Sequence, residues 1–103
     1  MKFHEVCKYE EIPPGERLFF EVDGQPIVIL NIGGELFAID DVCTHDDGPL
    51  GDGEVEEGQI ICPRHGARFD IRTGEVLSLP AVNSVSTYPI RVVDGEIKIG
   101  FEA

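Results

Sequence analysis

The chain has 103 residues, a formal net charge of −12 and 42% apolar residues. That length predicts one domain over residues 1–103, large enough to bury a core of its own. The acidic balance argues against a nucleic-acid partner, because phosphates attract basic proteins. No apolar run approaches the eighteen or so residues of a membrane span, and Met1–Val6 carry no apolar signal region. Three cysteines make no disulfide framework, which fits a reducing cytoplasm.

In chain order the pattern is one of short strands divided by turns. Residues 3–8 read as a first strand, and Pro13-Pro14-Gly15 as a turn. Leu18–Val22 is rich in aromatic and β-branched residues, as strands are. Asp23-Gly24 is a hairpin signal, and Ile27–Leu30 is a continuous apolar run suited to a strand covered on both faces. Gly33-Gly34 turns the chain into Leu36–Ile39, completing a meander.

From Asp41 the character changes. Residues 43–74 hold six of the twelve glycines, as loops do where the backbone takes positive φ or approaches a ligand. Only short strands are expected here, over residues 59–61 and 67–70. Regular pairing resumes over 86–93, and Asp94-Gly95 leads into a last strand over 96–101, where Ile97 and Ile99 alternate with Lys98. No segment has a convincing helical period. The reading is all-β: an antiparallel base from about 1–40 and 83–103, with a loop-rich segment of about 41–82 inserted.

The inserted segment carries the chemistry. Cys43-Thr44-His45 is answered by Cys62-Pro63-Arg64-His65-Gly66. Thiolate and imidazole ligands together suit iron–sulfur clusters, zinc or copper. A zinc finger groups its cysteines in one pair and its histidines in another. Here each loop offers one of each. That suits a [2Fe–2S] unit with two cysteines on one iron and two histidines on the other, the arrangement of a Rieske centre. The remaining candidates are poorer. Cys7 reads as a half-buried strand thiol and His4 as an exposed or strand-packed histidine. A mononuclear oxygenase iron needs two histidines beside a carboxylate, and only His4 is left over. The glycine fingerprint of a nucleotide-binding fold is absent. The chain therefore reads as a carrier without substrate chemistry.

The two loops resemble the ligand loops of Rieske proteins. Gly48-Pro49-Leu50 and Phe69-Asp70 are similar to the family's flanking residues, and Leu79-Pro80-Ala81 to its third, proline-containing loop. The length resembles that of the small Rieske ferredoxins of ring-hydroxylating oxygenase systems. The resemblance implies the Rieske (ISP-like) fold and one [2Fe–2S] cluster held by Cys43, His45, Cys62 and His65. It also implies that the histidines form the exit edge for the electron. Thr44, Gly48, Pro63, Gly66 and Pro80 would shape the loops. Implied partners are a flavin-dependent reductase as donor and an oxygenase or other redox enzyme as acceptor. High-potential respiratory Rieske proteins carry an extra cysteine in each loop, joined as a disulfide. Where that pattern would place them this chain has Gly48 and Arg64. Those proteins also place a serine and a tyrosine at the positions of Ala67 and Phe69, so the resemblance implies a low potential. Two alternatives stand beside this reading: a small subunit of a larger redox enzyme, as in nitrite reductases, and a zinc-stabilised interaction module.

The charge is unevenly spread. Between Leu18 and Pro63 there are eleven acids and no Lys or Arg. This predicts a well-solvated surface, and in addition steering toward a basic partner. Arg64, Arg68 and Arg72 break the pattern in and after the second loop.

Overall fold

The computed structural model describes residues 2–44, 48–81 and 83–101. The first ligand loop's His45-Asp46-Asp47 lies outside the described residues, so the reading of His45 as a ligand has no geometry to meet. Among the described residues ten strands form three antiparallel sheets. They are β1 (Lys2–Lys8), β2 (Arg17–Val22), β3 (Gln25–Ile32), β4 (Glu35–Asp40), β5 (Glu54–Glu56), β6 (Gln59–Ile61), β7 (Arg68–Asp70), β8 (Thr87–Tyr88), β9 (Ile90–Val93) and β10 (Glu96–Phe101). One 3₁₀ turn, Tyr9–Glu11, follows β1.

The base is built from both halves of the chain. One sheet runs β1-β10-β9 and the other β2-β3-β4-β8. The meander forms because its turns fit the strand twist. Val22 pairs Gln25 across Asp23 (φ 51°) and Gly24 (φ 81°), and Ile32 pairs Glu35 across Gly33 and Gly34, both at positive φ. These two-residue loops match the right-handed twist of the flanking strands. Asp94-Gly95 does the same between β9 and β10. Ile27–Leu30 is buried throughout, at most 2% exposed, as a strand covered on both faces requires. Its two faces enter two different cores. Ile27 and Ile29 pack with Ile12, Ala38, Ile97 and Ile99 in the base. Val28 and Leu30 face the inserted segment and pack with Cys43, Leu50, Ile60, Cys62 and Phe69.

The regular pairing expected over 86–93 is divided between two strands in two sheets. β8 pairs β4 in the meander sheet (Ala38↔Tyr88, Ile39↔Thr87), whereas β9 pairs β10 in the other. Pro89 stands between them. It has no N–H to donate to a ladder, so the chain changes sheets there. β5 was not expected. Its Glu-Val-Glu sequence has little strand character, and it exists because Glu57 (φ 51°) and Gly58 (φ 76°) turn it onto β6.

The inserted segment is a small sheet, β5-β6-β7, flanked by loops. It is bonded to the base from both sides. The Arg17 guanidinium on β2 donates to the Gly51 and Gly53 carbonyls. Asp41, after β4, accepts the Leu50 and Gly51 amides at 3.0 and 2.5 Å. Asp40 accepts the Ser86 amide and the Tyr88 hydroxyl, and burial and that hydrogen bond push the Tyr88 phenol well above its usual range.

Candidate metal centre

Each ligand loop is closed by the same main-chain bond. The Cys43 amide donates to the Gly48 carbonyl at 2.7 Å, and the Cys62 amide donates to the Ala67 carbonyl at 2.7 Å. In both, the cysteine amide reaches a carbonyl five residues on. The loops are thus built alike around residues that alternate soft and nitrogen donors. In the second loop the Gly66 amide also donates to the Cys62 carbonyl at 3.0 Å. That turn needs φ +76° at Gly66, a conformation that glycine adopts without strain.

The closure sorts the loop residues by depth. Cys43 and Cys62 are 0% and 1% exposed and belong to one apolar cluster with Leu50, Ala67, Phe69 and Ala81. Although they share that cluster, neither is in a disulfide. Pro63, Arg64, His65 and Gly66 face solvent. Two buried thiols beneath an exposed imidazole is the layering that a metal centre with an inner, sulfur-held side and an outer, nitrogen-held side requires. Among the described residues no group of three or more His, Cys, Asp and Glu side chains is gathered to hold a metal by itself. The proposed set draws on His45, outside them. The donor types and their burial fit a [2Fe–2S] group.

The third loop joins the other two. The Thr44 hydroxyl donates to the Asn83 carbonyl at 2.5 Å. Val76 bridges Phe69, and the Leu77 amide donates to the Arg68 carbonyl at 2.7 Å. The Leu79-Pro80 peptide is cis, and Ala81 is buried beside the cysteines. Sequence reasoning named Thr44 and Pro80 for the loops but missed Asp41, Arg17, Ser78 and Asn83. Asp41 carried a readable signal, a carboxylate ending a strand before a glycine-rich loop. The Thr44–Asn83 bond carried none, since a main-chain carbonyl has no sequence signature.

The other candidates lie away from the loops, on β1. His4 packs edge-on against the Phe101 ring, centroids 6.1 Å apart. Cys7 is half-buried in the strand; burial pushes its thiol up, and the Glu11 carboxylate adds to the rise.

The family model for the Rieske [2Fe-2S] domain matches residues 2–89, and the chain belongs to that family. Within it the chain is similar to the biphenyl dioxygenase ferredoxin subunit of Pseudomonas sp. (strain KKS102). The two are 37% identical over 102 residues, which cover 98% of this chain and 94% of that one. The fold matches the ferredoxin of carbazole 1,9a-dioxygenase from Nocardioides aromaticivorans IC177, with TM-score 0.89, 32% identity and coverage of 99% and 100%. It also matches a chain in a complex of reduced oxygenase and oxidized ferredoxin in carbazole 1,9a-dioxygenase, with TM-score 0.85, 28% identity and coverage of 94% and 91%. The protein is a ferredoxin-type electron carrier with a Rieske [2Fe–2S] cluster, and not itself an enzyme. No helix among the described residues is long and apolar enough to cross a membrane.

Proposed function

We propose that Cys43 and Cys62 hold the inner iron, that His45 and His65 hold the outer one, and that the chain passes single electrons from a flavin-dependent reductase to an oxygenase. The carrying observation is the matched closure of the two loops, which leaves both cysteines buried in one cluster and His65 exposed. A cluster with two imidazole ligands accepts and releases one electron at a potential set by its ligands and their surroundings. This chain's part is to bury the thiol side away from water, to hold the loops in register through Thr44 and Asp41, and to present the imidazole side to a partner. An oxygenase acceptor is supported by the ferredoxin relatives of biphenyl and carbazole dioxygenases and by the matched complex with an oxygenase. A flavin-dependent donor completes the electron supply such an oxygenase needs. Residues 1–103 act as one unit, with 41–82 inserted in the base, and the reduced cysteines suit the cytoplasm.

The ligand set is tested by substitution. His45→Ala and His65→Ala should each lose the wild-type visible spectrum and EPR signal, while His4→Ala keeps both. A His45 or His65 variant with an unchanged spectrum and EPR signal overturns the assignment. The partner reading is tested by reconstitution. A nicotinamide-linked flavoprotein reductase and an oxygenase should turn over only when this protein is added.

A further inference from the structure

Leu79 is the most exposed large apolar side chain among the described residues, at 76%, with Val92 next at 48%. It is held in place from both sides. Ahead of it, Val76 bridges Phe69, the Leu77 amide donates to the Arg68 carbonyl, and the Ser78 hydroxyl accepts the Arg68 amide at 3.0 Å. Leu79 follows Ser78 directly, and Arg68, which Ser78 bonds, follows the exposed turn 63–66 by two residues. Behind it, Ala81 is buried in the cluster that contains both cysteines, and the Asn83 carbonyl is tied to Thr44 of the first loop. A leucine thus stands exposed on the loop that is bonded to both ligand-bearing segments, of which the second also exposes His65.

Burying such a side chain is favourable, and only a partner can bury it. Electron transfer requires the partner to come close to the imidazole edge, so a molecule seated there also covers Leu79. The segments tied to its loop expose charged and polar groups, Arg64, His65 and Ser84. An apolar anchor inside a polar rim is the anatomy of a protein interface. We propose that Leu79 is the apolar anchor of the docking site for the electron-accepting oxygenase, entering an apolar recess beside that enzyme's electron entry. This rests on the carrier reading above. It separates two tasks on one surface: the distributed acids govern how fast partners meet, and Leu79 governs how long they stay.

The experiment measures electron transfer from the reduced holo-protein to the oxygenase components of the biphenyl and carbazole dioxygenase systems. Leu79→Asn should raise the protein concentration for half-maximal rate about tenfold, the scale of a lost interface anchor. Its visible spectrum and reduction potential should stay those of wild type. Leu79→Met should behave like wild type, and so should Val92→Asn, which removes an exposed apolar side chain from β9. A Leu79→Asn value within twofold of wild type overturns the proposal. So does a Leu79→Asn chain that loses its spectrum, since Leu79 would then support the loop rather than the partner. A wild-type protein that reduces neither oxygenase overturns the carrier reading, and the inference with it.

Discussion

Asp41 and Gly51 close the mouth of the first ligand loop. The Asp41 carboxylate accepts the Gly51 amide at 2.5 Å and the neighbouring Leu50 amide at 3.0 Å through the same oxygen. Inside this closure lies the main-chain bond from the Cys43 amide to the Gly48 carbonyl. A Cβ on residue 51 would lie 2.6 Å from Phe19 Cε1 and 2.8 Å from that same carboxylate oxygen, so any other residue there displaces the ring and the carboxylate.

Asp41→Ala should therefore cost about 2 kcal/mol, the scale for hydrogen bonds to a charged group, and Asp41→Asn less, because an amide oxygen still accepts. Urea unfolding of the holo-protein measures both. Gly51→Ala should resemble Asp41→Ala. Equal midpoints for wild type and Asp41→Ala would show that the loop is closed by other bonds.

The potential should lie near the low end of the Rieske range, about −150 mV rather than about +300 mV. Ala67 and Phe69 are fully buried in the same cluster as the two cysteines, and neither side chain can donate a hydrogen bond. Hydrogen bonds to cluster or cysteine sulfur favour the more negative, reduced state, so their absence lowers the potential. Ala67→Ser and Phe69→Tyr should each raise it in protein-film voltammetry. A wild-type value well above zero refutes the low-potential assignment, and unmoved variants with intact spectra refute the hydroxyl argument.

Transfer to the natural acceptor should slow as salt is added. Eleven acids and no Lys or Arg lie between Leu18 and Pro63, and screening shortens the reach of their field to about 8 Å at physiological ionic strength. Stopped-flow rates over a range of salt concentrations decide it. A flat profile would leave the charge a role in solubility alone.

Glu96 gives a pH dependence of known sign. It shares a hydrogen bond with the Glu5 carboxyl and feels its charge, and both effects raise the Glu96 carboxyl above its usual range, against the opposing pull of Lys98 and Lys8. The folded state therefore favours the protonated form. This stabilisation is present at acidic pH and is lost as pH rises through the folded value. At neutral pH the two carboxylates repel. Glu96→Gln should raise Tm at pH 7, and the gain should fade as acid protonates the Glu96 carboxyl of the wild type. A gain independent of pH would exclude the carboxyl pair as its source.

Most of the base could be read from the residues because its signals are local. Asp23-Gly24, Gly33-Gly34 and Asp94-Gly95 each force the turn they mark, and Ile27–Leu30 is apolar at every position because both of its faces are covered. The failures were non-local. Nothing around Pro89 tells which sheet each side joins, and Glu57-Gly58 lacks the Asn or Asp that usually opens such a turn. At the site, the cysteine–histidine spacing announced the donor types and the family. It could not announce that both cysteine amides close their loops on a carbonyl five residues on, because that acceptor is backbone.

The pairing of β1 with β10, Lys2 opposite Phe101, sets an order of assembly. The β2-β3-β4 meander and the β5-β6-β7 sheet use only neighbouring stretches of chain, so each can form while synthesis continues. The base core cannot close in the same way, because Ile97 and Ile99 come from β10. Contacts so distant in sequence form slowly and late. Both ligand loops therefore leave the ribosome before the platform beneath them is complete. The thiols of Cys43 and Cys62 pass through a period of exposure that the finished protein does not have. Iron and sulfide delivered in that interval would meet open loops, and those delivered later would have to enter a closed core.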